Sequence, residues 1–199
     1  LNQLKNTLKK PVLVIVRGVP GSGKTYFAEL LEKALGKDIC VNLDPDATDY
    51  NSQEYKDHVQ EQIKEGVDTK LHPYRFLRAK AYKAILEGKV IIWNQPFTDL
   101  AIMKKVTDRL EEYSKLHQTQ LSILVLEVIV PKEVAWERIV KRVASGGHGP
   151  SEGRFTQFFK QYQSASPGGY ECVSIDGLAD NSEIVGKIAD KLKSNLSGF

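Results

Sequence analysis

Short runs rich in valine and isoleucine recur along the chain, and longer stretches with helical spacing lie between and after them. The runs Val12–Val16, Ile39–Leu43, Val90–Trp93, Ile123–Val130 and Cys172–Ile175 are nearly continuous in apolar residues rather than alternating. Strands buried on both faces read this way, as in parallel sheets covered by helices. Apolar positions three and four apart predict helices over Lys24–Leu35, Gln53–Glu65, Pro73–Leu86, Leu100–Leu116, Lys132–Val143 and Ser182–Leu196. This alternation, joined by right-handed crossovers, predicts three α/β/α layers around a mainly parallel five-stranded sheet. Gly- and Pro-rich stretches at Ser145–Gly153 and Ser166–Gly169 bracket one short insertion. The expectation is a single domain over 1–199 with a small flap at about 143–165.

Composition narrows the class. Hydrophobic residues are 41% and charged residues 27% of the 199, near the roughly 45–50% and 25% of globular chains, so disordered and collagen-like classes are excluded. Lys and Arg number 28 against 25 acids, a net charge of +3. That excess is too mild to favour nucleic acid as the partner. Cys40 and Cys172 form no CxxC pair, which excludes a disulfide scaffold and a cysteine-rich zinc site; both read as packed side chains. His58, His72, His117 and His148 lack zinc-site spacing. The apolar run Pro11–Val16 is far short of a membrane span and of a secretory core. No membrane association and a cytoplasmic address are expected.

Chemistry enters directly after the first run. Gly18-Val19-Pro20-Gly21-Ser22-Gly23-Lys24-Thr25 fits GxxxxGK[ST] without a mismatch. The glycines let successive backbone N–H groups turn toward phosphate oxygens, and the helix that follows adds about half a positive charge at its N-terminus. In this pattern Lys24 reaches the β- and γ-phosphates and the Thr25 hydroxyl binds Mg²⁺. The expected nucleotide contacts are Gly18, Pro20, Gly21, Ser22, Gly23, Lys24, Thr25 and Tyr26. No NKxD-type guanine reader is present, so ATP is expected rather than GTP.

Two further segments supply reacting groups. Val41-Asn42-Leu43-Asp44-Pro45-Asp46 puts two carboxylates just past a strand end, on the edge of the sheet where ligands bind. Transfer of a phosphoryl group to an alcohol needs a carboxylate that takes the hydroxyl proton; the alternative is that these acids cap the next turn. The third run ends Ile91-Ile92-Trp93-Asn94-Gln95 with no acid. Magnesium then falls to Thr25 with help from Asp44 or Asp46, or to Glu127, whose mid-strand place favours a buried pair instead. Arg138 and Arg142 are four apart and share a helix face. They fit the neutralisation of a transferring phosphoryl group, or a solvated face pairing with Glu133 and Glu137. Gly146-Gly147-His148-Gly149-Pro150 suits a hinge for a closing flap.

Smaller signals each carry two readings. Arg75 and Arg78 suit an anionic acceptor or a solvated helix face. Trp93 and Trp136 read as core. The segment Phe155–Tyr162 contacts a ring of a ligand or docks as an amphipathic helix.

The phosphate loop, the Asp after the second strand, the segment Glu137-Arg138-x3-Arg142 and the flap together resemble the P-loop kinases grouped with zeta toxins and polynucleotide kinases. The zeta-toxin branch is nearest, through Arg142-Val143-Ala144-Ser145-Gly146-Gly147-His148-Gly149-Pro150 and through Asn42-Leu43-Asp44-Pro45-Asp46. The resemblance runs from about Val12 to Ile175. It implies an ATP- and Mg²⁺-dependent phosphotransferase acting on an alcohol, with Asp46 as base, Lys24, Arg138 and Arg142 on the transferring phosphate, and Thr25 and Asp44 on the metal. It also implies a small or nucleotide-like acceptor, a UDP-sugar in the zeta-toxin branch itself, and an antitoxin-like protein partner. Two departures bear on the acceptor: the third strand ends Asn94-Gln95-Pro96 instead of an acid with Gly-Thr, and Arg154 stands alone where the family carries an arginine-rich run. A 5′-hydroxyl polynucleotide kinase and a nucleotide switch without transfer are the rival readings.

Overall fold

A computed structural model describes residues 10–162 and 168–197. Strands β1 (Val12–Arg17), β2 (Cys40–Leu43), β3 (Val90–Asn94), β4 (Ser122–Ile129) and β5 (Glu171–Asp176) form one sheet in the order β2-β3-β1-β4-β5. Every pairing is parallel, so the sheet is parallel throughout and not only mainly so. The helices are α1 (Lys24–Leu35), α2 (Gln53–Lys64), α3 (His72–Glu87), α4 (Leu100–Leu116), α5 (Lys132–Ala144), α6 (Glu152–Gln161) and α7 (Ser182–Ser197), with a short 3₁₀ turn over Thr69–Leu71.

The near-continuous apolar runs have a direct cause. β1 lies between β3 and β4, and all its residues are buried. Val12, Val14 and Val16 pack on one face with Phe27 and Leu31 of α1 and Val185 and Leu192 of α7. Leu13 and Ile15 pack on the other with Leu77 and Ile85 of α3 and Met103 and Leu110 of α4. The connection from β1 runs to the edge strand β2, whereas the one from β3 crosses β1 to reach β4. Paths that diverge in this way open a crevice above the strand ends, and the site lies there.

The range expected for the flap takes in the end of α5 and all of α6. Phe155 of α6 is buried against Val19, Val130, Ala135 and Ile139, with its ring 5.4 Å from that of Trp136. The segment Phe155–Tyr162 therefore docks as a helix, chiefly on α5 and on residues just past β1 and β4. The last residues of the expected flap, 163–165, and the start of the loop Ser166–Gly169 lie outside the described residues. Among the described residues no helix is long and apolar enough to cross a membrane. Burial pushes the Cys40 and Cys172 thiols up to about 11, which leaves neither as a thiolate nucleophile at neutral pH.

Glu127 faces away from any metal role. Arg17, at the end of β1, donates from Nη1 to Glu127 Oε1 at 3.0 Å, with the two side chains 0% and 3% exposed. The Tyr162 hydroxyl donates to the same oxygen at 3.3 Å, and its ring lies 4.3 Å from the Arg17 guanidinium carbon. The alternative of Glu127 as a magnesium ligand is thereby corrected in favour of the buried pair. Replacing Glu127 by Ala strands the Arg17 charge in the core and is expected to lower stability by about 3–5 kcal/mol. Urea denaturation measures this directly. A Glu127→Leu/Arg17→Met double variant should recover most of the loss, because no buried charge then remains.

Candidate active site

β1 feeds a tight loop over residues 18–23 that turns into α1. Gly21 (φ 83°) and Gly23 (φ 96°) hold left-handed backbone that only glycine adopts without strain. A Cβ on Gly21 would stand 2.2 Å from the Ala135 carbonyl oxygen, so the loop rests on α5 only because no side chain intervenes. Gly23 caps α1 without a side-chain acceptor, which leaves first-turn N–H groups for an incoming anion. Arg138 braces the loop from outside: Nη1 donates to the carbonyls of Gly21 (3.4 Å) and Ser22 (3.2 Å), and Nη2 to that of Gly177 (3.0 Å).

The acidic side is tied together by the residue that stands where an acid was missing. Asn94 Nδ2 donates to Thr25 Oγ1 at 3.1 Å and to Asp44 Oδ2 at 2.6 Å. Asp44 Oδ1 accepts the Asp46 backbone N–H at 2.8 Å. Burial pushes the Asp44 carboxyl above its ordinary range, against the hydrogen bonds from Asp46 and Asn94. Burial likewise pushes the Lys24 ammonium down, opposed by the charges of Asp44 and Asp46 and assisted by that of Arg142.

Whether these residues suit Mg²⁺ is answered by their donors. Thr25 Oγ1 and the Asp44 carboxylate are hard oxygen ligands side by side, and the buried Asn94 Oδ1 next to them has no partner among the described residues. No cluster of three or more His, Cys, Asp or Glu able to hold a metal occurs among the described residues. Magnesium commonly binds through one or two protein oxygens plus substrate phosphates and water. The set fits that ion arriving with a nucleotide.

A cavity of about 430 Å³ joins these parts. Its walls include Pro20, Lys24, Thr25, Asp44, Asp46 and Arg142, which the structure thus brings together from three separate segments. Other residues singled out from sequence, among them Gly18, Gly21 and Gly23 of the loop, are not on these walls. Arg138 spends its donors on backbone carbonyls and does not line the cavity; one helical turn, about 6 Å along the axis, separates it from Arg142. Tyr26 projects from α1 and is 61% exposed, away from the cavity walls. Ser22 is fully buried under the loop. Arg75 donates to Gln62 Oε1 at 3.0 Å and lies 3.5 Å from Glu65, so it is engaged on the helix surface.

Sequence reasoning missed the bridging role of Asn94, for which a polar residue closing a buried strand was the available signal. It also gave His148 and Arg154 no place on the cavity wall, which both line.

The family model for the Zeta toxin family matches residues 1–184. A comparison with curated proteins finds no match. Among solved structures, a gluconokinase from Sinorhizobium meliloti 1021 is similar at 18% identity and TM-score 0.53, with 96% of this chain and 95% of that chain covered. Kti12 of Chaetomium thermophilum, in complex with ADP-AlF3, aligns at 17% identity and TM-score 0.57 over 94% of this chain and 100% of its own. A deoxyadenosine kinase from M. mycoides with bound dATP aligns at 20% identity and TM-score 0.52, covering 92% and 99%. These likenesses are of fold.

Proposed function

The chain belongs to the zeta toxin family, and on that premise we propose that it is an ATP-dependent kinase that phosphorylates a hydroxyl of a small or nucleotide-like acceptor. The observation that carries the reading is the shared cavity, in which Lys24 and Thr25 of the phosphate loop face Asp44, Asp46 and Arg142. The loop N–H groups and Lys24 hold the triphosphate. Mg²⁺, when bound, neutralises charge on the β- and γ-phosphates; Thr25 and Asp44 would hold it. Asn94 keeps those two oxygens in register.

Asp46 is exposed at the cavity mouth, and its backbone is pinned by Asp44. It accepts the acceptor's hydroxyl proton as the new O–P bond forms. The bond from the γ-phosphorus to the β,γ-bridging oxygen breaks, and ADP leaves with that electron pair. Arg142 answers the charge spread over the transferring group, a role in which one arginine is worth about 10³–10⁵ in turnover. Arg138 is a positioning residue that holds the loop through its carbonyls.

The test is ADP release from ATP and Mg²⁺ against UDP-sugars, nucleosides, simple sugars, aminoglycosides and 5′-hydroxyl oligonucleotides. Stimulation by one class is expected, with UDP-sugars tried first on the family resemblance. ATP binding with no stimulation by any class would sink the kinase reading.

A further inference from the structure

A second cavity of about 330 Å³ lies between α3 and α4 and opens beside the first. Tyr74 and Gln95 line both, so the two cavities adjoin. Trp93 forms its floor, with the indole Nε1 donating to Gln95 Oε1 at 3.1 Å. Ile102 and Val106 of α4 add apolar wall, and Ile102 is 50% exposed.

The charges on this wall are of one sign. Arg78 comes from α3, and Lys105 and Arg109 come from α4. Among the described residues, none of the three has a carboxylate within salt-bridge distance. The nearby acid Asp108 is taken by Lys104, and the Arg75 of the preceding helical turn is taken by Gln62 and Glu65. Lys105 and Arg109 stand one helical turn apart, a like-charge spacing that disfavours a helix. Burial, together with Arg109 and Arg75, pushes the half-buried Arg78 below the usual arginine range. Three cations converge on an apolar floor without a counter-charge, and a doubly charged, hydrogen-bond-accepting group supplies what they lack.

We propose that this cavity is the specificity subsite for the acceptor and that it binds a phosphate group carried on an apolar or aromatic body. Arg78 and Arg109 grip the phosphate oxygens, Lys105 adds charge at the rim, and Trp93 packs against the body. The acceptor's hydroxyl then lies past Tyr74 and Gln95, toward Asp46. That the ligand is the acceptor rests on the kinase reading; the phosphate site itself does not depend on it.

Phenyl phosphate, benzoate and phenol separate the contributions. Calorimetric titration of the full chain, saturated with Mg²⁺ and a non-hydrolysable ATP analogue, keeps the phosphate loop occupied. Phenyl phosphate should bind at one site, more tightly than benzoate, with phenol weakest. Arg78→Gln and Arg109→Gln should each weaken phenyl phosphate about tenfold and leave phenol and the ATP analogue unchanged. Arg109 is exposed, so its glutamine variant keeps the fold and with it the test. Equal phenyl phosphate binding by wild type and both variants overturns the proposal, as does absence of saturable binding. Phenol or benzoate binding as tightly as phenyl phosphate overturns the phosphate assignment. In turnover, the same variants should raise KM for a phosphorylated acceptor about tenfold and spare kcat. Stimulation by neutral acceptors alone, unchanged in the variants, overturns the subsite and keeps the kinase. Variant-sensitive binding of phenyl phosphate without any acceptor-stimulated ADP release keeps the phosphate site and overturns the kinase.

Discussion

A Lys24→Ala protein is expected to lose acceptor-stimulated ADP release by about 10³-fold or more, with the fold intact. Lys24 is the loop's own cation, and burial has already stripped it of much of its water. A charge in such a place acts on a phosphate with little solvent between them, so its removal is felt at both the bound nucleotide and the transferring group. The same burial fixes the sign of the stability effect. A lysine whose folded pKa is lowered binds its proton less readily in the fold than in the unfolded chain. Stability therefore rises with pH through the folded value, and at neutral pH the ammonium opposes folding. Melting temperature in Lys24→Ala should hold or rise while turnover collapses. ATP affinity of the wild type should fall as pH rises, beginning below the ordinary lysine range, because the proton that attracts the phosphates is lost there. Calorimetry with ATP across a pH series, alongside thermal melts of the variant, checks both parts. An inactive variant with a lowered melting temperature would instead mark Lys24 as a structural support.

The layers and the phosphate loop were legible in the chain because each is written locally. β1 sends alternate side chains to two helix layers, so Val12 through Val16 had to be apolar without interruption. The loop's chemistry sits in eight adjacent residues. The rest of the cavity depends on approach across the fold. Asn94 meets Thr25 and Asp44 over separations of 69 and 50 residues, and its meaning changes once both partners are known: the absent acid becomes a donor that holds two oxygens. Arg138 and Arg142 illustrate a different limit. Their spacing fixes a common face of α5, but not that the first would lie against loop carbonyls and the second on the cavity. Arg17 and Glu127 are direct partners across β1 and β4, a register that no local pattern reveals. Arg78 joins Lys105 and Arg109 only because α3 packs against α4.

Asp46→Asn should lower kcat by about 10²–10⁴-fold, some 3–5 kcal/mol in the barrier, while ATP affinity stays within about twofold. The asymmetry follows from placement. Asp46 lines the same cavity as Lys24 yet stands exposed at its mouth, with its backbone N–H bonded to Asp44 Oδ1. Asparagine keeps the size and that backbone bond, so the turn and the nucleotide end of the site remain. It cannot take up the proton that the attacking hydroxyl must lose. Asp44 is the internal control, because it lies nearer the phosphate loop, bonded to Asn94, the residue that also holds Thr25. Asp44→Asn should therefore raise the Mg²⁺ concentration needed for half-maximal turnover, a change that Asp46→Asn should not produce. Steady-state kinetics at varied Mg²⁺ separate the two carboxylates. If Asp46→Asn turned over at the wild-type rate and Asp44→Asn did not, the base would be Asp44, and its carboxyl, already pushed up by burial, would have to serve proton and metal at once.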